Sequence, residues 1–203
     1  MTKKIIVVDD FLPTNQVETL HETLMRAEFK DERAPDGVVY PTVCTSVSID
    51  NIDKRLGEVH GFPSVDIKLN CFRLSLLGEV DDTFCHADGI YAQWAAVLYL
   101  NRHIQYGGTA FWRHVETGLD AVPNENLMKV AGFHPLKYHQ WLTSETRFPA
   151  KWESSGFCGM RFNRLVTYPT SSFHSRVPGT IDKPFGNTVR DGRLVWVAFY
   201  DLP

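Results

Sequence analysis

The feature that most constrains this chain is a succession of short apolar runs, rich in β-branched and aromatic residues and cut by turn residues. They are TVCTSVSI (42–49), VDIKLNCFRLSLL (65–77), QWAAVLYLN (93–101), TAFWRH (109–114), RFNRLVTYP (161–169) and RLVWVAFYDL (193–202). Runs of this kind suit strands. Many short strands after one or two helices predict a mostly β fold, an antiparallel barrel or sandwich with flanking helices.

KIIVV at 4–8 reads as a further strand. Asn15 followed by Glu18 fits a helix N-cap with its reciprocal partner, and Val17, Leu20, Leu24 and Ala27 supply the apolar stripe. Gly107-Gly108 separates two strands as a hairpin turn would. The interval from about 114 to 156 differs: PNENLMKVAG and PLKYHQWLTSE have helix-like starts, so it reads as an insertion over one end of the barrel. One domain over 1–203, opened by a strand–helix module at about 1–35, is the economical organisation.

Composition narrows the partners. With 203 residues, 43% hydrophobic content and a net charge of -3, the chain can fill a core and has no electrostatic grip on nucleic acid. Cys44, Cys71, Cys85 and Cys158 show no paired spacing and read as reduced thiols of a cytoplasmic protein. The opening MTKKIIVVDDFLP is too short for a signal peptide, and no run approaches the roughly 18 apolar residues of a membrane span.

Chemistry concentrates in two places. In CHADG, His86 and Asp88 stand at i and i+2 and share one face of a strand. Downstream, NRLVTYPTSSFHSR places His174 just after a β-rich run, at a strand end. Two imidazoles and one carboxylate make the facial triad of non-haem iron, with open positions for substrate chemistry. They also suit zinc with an open fourth position, as in a hydrolase. A cupin-like binding barrel with incidental histidines is the non-enzymatic alternative. On the terminal strand, Arg193 shares a face with Val195, Val197 and Phe199, where a lone cation is costly to bury without an anion. Arg190 lies on the opposite parity, in the polar approach to that strand. Tyr99 shares a face with Ala95 and Val97, and its hydroxyl needs a polar partner there. Trp112, after the glycine pair, is the candidate substrate wall. His21, His60, His103, His114, His134 and His139 read as surface or supporting residues.

The order His-x-Asp, a long interval, a second His and then an Arg opening a late strand resembles the iron(II)- and 2-oxoglutarate-dependent dioxygenases. AVLYLN, GGTAFWRH and the opening IIVVDDFLP are closest to the prolyl-hydroxylase-like branch. The resemblance implies a double-stranded β-helix, or jelly roll, with Fe(II) on His86, Asp88 and His174. It implies that 2-oxoglutarate binds with its distal carboxylate on Arg193 and the Tyr99 hydroxyl, and that O2 takes the last position. The implied substrate is a peptidyl residue, an amino acid or a small metabolite. The carboxylate of Asp88 favours hydroxylation, since the halogenases of the family lack it. Some relatives carry a pocket tyrosine upstream of the first histidine; FRLSLLGEV here has none.

Overall fold

Alternation within the central strands decides how the sheets stack. In β5 (Trp94–Tyr99), Ala95, Val97 and Tyr99 point to one side and Ala96 and Leu98 to the other, and both sets are buried. A strand covered on both faces reads as an unbroken apolar run. In the computed structural model, which describes residues 5–33, 39–79, 81, 83–88, 92–102, 106–132, 134–177 and 184–203, β5 lies within a seven-stranded antiparallel sheet.

That sheet runs β1 (Ile6–Val8), β8 (Arg164–Pro169), β5, β10 (Arg193–Asp201), β4 (Asp66–Ser75), β3 (Val39–Cys44) and β2 (Lys30–Arg33). A second antiparallel sheet has the order β7 (Trp152–Gly159), β6 (Gly108–His114), β9 (His174–Val177). The inner faces meet in a core that joins Val97, Val166 and Val195 to Phe111 and Cys158. The two sheets form a jelly roll, and the described strands do not pair into one closed barrel.

Helices α1 (Thr14–Leu24) and α2 (Ile52–His60) cover the outer face of the large sheet. Val17, Leu20, Leu24 and Leu56 pack there with Leu98, Leu165 and Trp196. Each such side chain contributes roughly 1.5–3 kcal/mol by leaving water. Asn15 is not the N-cap of α1. Pro13 takes that position without a side-chain bond, and Glu18 pairs with Arg102 instead. The Asn163 side chain then ties the loop before α1 to the start of β8, accepting from Leu12 N at 2.9 Å and donating to Leu12 O at 2.8 Å.

Gly107-Gly108 does not close a hairpin. β5 and β6 belong to different sheets, and the glycines stand where the chain enters the second one. A Cβ on Gly107 would lie 2.8 Å from Val177 O, and one on Gly108 2.1 Å from Cys158 O, so only glycine fits both places. The run TVCTSVSI is strand only as far as Cys44. The interval 114–156 carries α3 (Glu125–Val130) and α4 (Pro135–Glu145), followed by the start of β7. Leu142 of α4 joins Cys85, Trp152 and Phe173 in a satellite core beside the second sheet.

Candidate metal centre

His86 and His174 are brought together by the backbone. They form an isolated antiparallel bridge, His86 N donating to His174 O and His174 N to His86 O, each at 2.9 Å. Asp88 N donates to Thr170 O at 2.8 Å, which fixes the carboxylate two residues along. The ligand atoms of His86, Asp88 and His174 lie within 4.8 Å of one another, and no other such group of three occurs among the described residues. His174 Nε2 is 3.1 Å from Asp88 Oδ2, and His86 Nε2 is 3.5 Å from Asp88 Oδ1.

The donor set fits a divalent metal ion. His174 Nδ1 lies 3.0 Å from Ser172 O, and a carbonyl only accepts, so Nδ1 carries the hydrogen and Nε2 is left to bind. Burial and then the neighbouring His174 hold the His86 imidazole down at about 4, so it is neutral near pH 7 with a free lone pair. Its side chain is nonetheless 47% exposed, open to an incoming ion. For Asp88, burial works to raise the carboxyl, but His174 and His86 outweigh it and hold it below the usual carboxylate range.

The triad opens into a cavity of about 570 Å³ that runs over the inner face of the large sheet to the β2–β3 edge. Val97, Val197 and Phe199 form its apolar wall, Tyr40 and Val43 its far side, and Arg193 part of its lining. Arg193 is 5% exposed, has no ion pair or hydrogen bond among the described residues, and its Nε is sealed without a partner. Burial disfavours its charge, and Arg176 and Arg73 add to this against the pull of Tyr99. The two neighbouring arginines are compensated: Arg176 pairs with Glu79 at 3.2 Å and Asp81 at 3.0 Å, and Arg73 pairs with Glu79. A buried guanidinium without an anion, in the same cavity as three metal ligands, fits a chelator that carries a second carboxylate.

Asn101 sets the position of Arg193. Its Oδ1 accepts from Leu194 N at 2.9 Å and its Nδ2 donates to Gly192 O at 2.6 Å, clamping the backbone on both sides of residue 193. Ser75, the register partner of Arg193 on β4, is fully buried, and its hydroxyl also lacks a partner. Neither residue was legible as part of the site, because a lone Asn or Ser in a strand run carries no spacing signal.

Two expectations change here. The Tyr99 hydroxyl sits 2.8 Å from Thr109 Oγ1 and 3.3 Å from Cys158 O, and the ring rather than the hydroxyl faces Arg193, at 5.7 Å. Trp112 is not among the residues lining the cavity. It points to the other side of β6 from Phe111, lies tilted against Phe84 at 4.5 Å and donates to Ser175 Oγ at 2.9 Å. Tyr168 lines the cavity together with Tyr40 and Phe199, and lies against His174 at 4.7 Å. Arg190 is exposed and stands outside that lining. His60 bonds Tyr200, His114 lies against Thr117 and Glu145, and His134 caps α4, all away from the triad. His103 lies outside the described residues.

A family model described as "Family of unknown function (DUF6445)" matches residues 1–200. The chain belongs to that family. No curated protein matches it in sequence. Among solved structures it is similar to EctD from S. alaskensis with bound Fe, at 12% identity over 98% of this chain and 72% of that one, with a TM-score of 0.50. It is similar to the epimerase SnoN in complex with Fe3+, alpha ketoglutarate and nogalamycin RO, at 13% identity over 98% and 78% of the two chains, with a TM-score of 0.51. HygX from Streptomyces hygroscopicus with iron bound aligns at 12% identity over 97% and 81%, with a TM-score of 0.52. At these identities the likeness shows the fold, which is that of iron- and 2-oxoglutarate-dependent oxygenases. No helix among the described residues is long and apolar enough to cross a membrane.

Proposed function

We propose that the chain is an iron(II)- and 2-oxoglutarate-dependent dioxygenase that hydroxylates a peptidyl residue, an amino acid or a small metabolite. The observation that carries this reading is the unpaired, buried Arg193 in the cavity that also holds His86, Asp88 and His174. The same three ligands suit zinc, but a zinc hydrolase, like a cupin-like binding barrel, leaves that cation without a role. The sequence resemblance to the prolyl-hydroxylase-like branch, and the carboxylate of Asp88, support hydroxylation. The free cysteines suit a reducing, cytoplasmic setting, and one domain with a helical insertion remains the simplest organisation.

His86 and His174 would hold iron through neutral imidazole nitrogens, and Asp88 would supply the anionic ligand that offsets part of its charge. Ser172 O keeps the His174 ring oriented through the bond to Nδ1. Arg193 would take the distal carboxylate of 2-oxoglutarate in a two-pronged bond, which orients the 2-oxo acid end toward the triad. Val97, Val197 and Phe199 give the space between an apolar wall. Iron(II) bound with the cosubstrate supplies the oxidising chemistry: O2 is divided between succinate and the new hydroxyl group, with release of CO2. Anaerobic titration of the apoprotein with Fe(II) and then 2-oxoglutarate tests the proposal. It expects one iron per chain and a metal-to-cosubstrate charge-transfer band. Iron binding without the band refutes the cosubstrate, and no iron binding refutes the site.

A further inference from the structure

Each histidine of the triad follows a residue sealed into the satellite core beside the second sheet: Cys85 before His86, and Phe173 before His174. The other two buried members of that core, Leu142 of α4 and Trp152 at the start of β7, belong to the segment 114–156, and Trp152 lies edge-on to Phe173 at 4.8 Å. The backbone repeats the pattern. Phe84 N and Cys85 N both donate to Thr146 O, at 2.8 and 3.4 Å, just past the end of α4. Phe173 N donates to Asp120 O at 3.1 Å, and Val122 N to Ser171 O at 2.8 Å. At His86 the β pairing is a single isolated bridge, so Thr146 O supplies the anchorage immediately upstream. The end of α4 is itself tied down. Glu145 pairs with Lys151 at 2.9 Å, lies 3.6 Å from the fully buried His114 of β6, and its carbonyl accepts from Trp152 Nε1 at 3.0 Å.

We propose that the segment 114–156 is the backing of the metal centre, and that Leu142 is the positioning residue through which α4 sets His86 for the metal. This rests on reading His86, Asp88 and His174 as a metal site. The His86 side chain is 47% exposed, so its own packing holds it only in part. Its direction comes from the backbone behind it, and that backbone is fixed by Cys85 against Leu142 and by the carbonyl of Thr146. Groups behind a metal ligand act on affinity by fixing the ligand's orientation. The coupling is reciprocal: if the packed segment tightens metal binding, bound metal tightens the packing of the segment by the same factor.

The test compares two buried leucines in different cores: Leu142, and Leu24 of α1, which packs on the outer face of the large sheet. Truncating either leaves a cavity and costs stability. The readouts are the Fe(II) dissociation constant, measured anaerobically on folded protein, and the visible spectrum of Co(II)-loaded protein, which reports ligand geometry. Leu142→Ala is expected to weaken Fe(II) about tenfold or more, the scale of groups that orient ligands, and to change the cobalt spectrum. Leu142→Met refills the volume and is expected to restore both. Leu24→Ala is expected to stay within about twofold of wild type, as a distant and independent site. Wild-type iron affinity and an unchanged cobalt spectrum in Leu142→Ala overturn the proposal. So does an equal loss in Leu24→Ala, which would make the effect one of general stability. A second measurement needs only the wild-type chain. Hydrogen exchange followed by mass spectrometry, with and without Zn(II), should show slowing in peptides covering 84–86 and 138–152 beyond any slowing in α1. Slowing over 138–152 no greater than in α1 overturns the proposal. Failure of the underlying reading looks different: the wild type itself would bind neither iron nor zinc.

Discussion

Arg193→Met separates a residue kept for a ligand from one kept for the fold. The side chain is 5% exposed, its Nε is sealed without a partner, and Arg73 and Arg176 stand near enough to add like-charge repulsion. Methionine preserves most of the length and the contact with the Tyr99 ring while removing a buried charge. The cost of burying an uncompensated polar group runs at about 1–3 kcal/mol in protein mutational data and is higher for an ion. The ligand-free variant should therefore be more stable by the order of 1 kcal/mol. That is a rise of roughly 2–4 °C in Tm for a chain of this size.

Binding should move the other way. Losing a charge-assisted bidentate contact costs about 2–5 kcal/mol, or roughly 30-fold or more in the 2-oxoglutarate dissociation constant. Iron affinity should stay near wild type, because Arg193 is not one of the clustered ligands. Thermal melts with and without metal and cosubstrate read both effects at once. At a cosubstrate concentration of about 100 times its Kd the wild type gains about 2.7 kcal/mol, and at the same concentration the variant should lose most of that gain. Suppose instead that Arg193→Met melts several degrees lower and keeps the full 2-oxoglutarate shift. The arginine would then be a structural residue, and the argument from its missing counter-anion would be refuted.

His174→Ala should abolish stoichiometric iron binding, measured by metal analysis after gel filtration, while the far-UV spectrum stays that of the folded jelly roll; wild-type iron content in the variant would break the triad assignment. Asp88→Ala removes the anionic ligand and should end iron-dependent succinate formation from 2-oxoglutarate; full turnover would place the carboxylate elsewhere, with Glu116 and Asp120 the first positions to examine. Asn101→Ala deprives Leu194 N and Gly192 O of their buried partners. It should cost roughly 2–4 kcal/mol in denaturant unfolding and weaken 2-oxoglutarate more than iron, since the start of β10 carries Arg193.

Local chemistry made a good part of this legible in the sequence. The apolar runs marked the central strands, because burial on both faces leaves no polar alternation to confuse them with loops. The i, i+2 spacing marked His86 and Asp88 as a pair, although the segment that carries them is no strand and pairs with β9 only through the isolated bridge at His86; Arg190 lies in the turn before β10, which begins at Arg193. Other features were not local. β2 reads KDER because it is an edge strand with little to bury, so nothing in its composition announces it. Gly107-Gly108 looks like any hairpin turn, yet its purpose is a passage from one sheet to the other, visible only when Val177 and Cys158 stand over it. Tyr99 and Tyr168 are equivalent in sequence: each is an aromatic residue near the end of an apolar strand. Register set them apart, by placing Thr109 and Cys158 against the Tyr99 hydroxyl while Tyr168 lines the cavity. Trp112 fell on the outer side of β6 for a similar reason, since periodicity says which residues share a face but not which face the fold turns inward. That choice belongs to the pairing of distant strands, where His174 also meets His86, and no stretch of the chain holds it by itself.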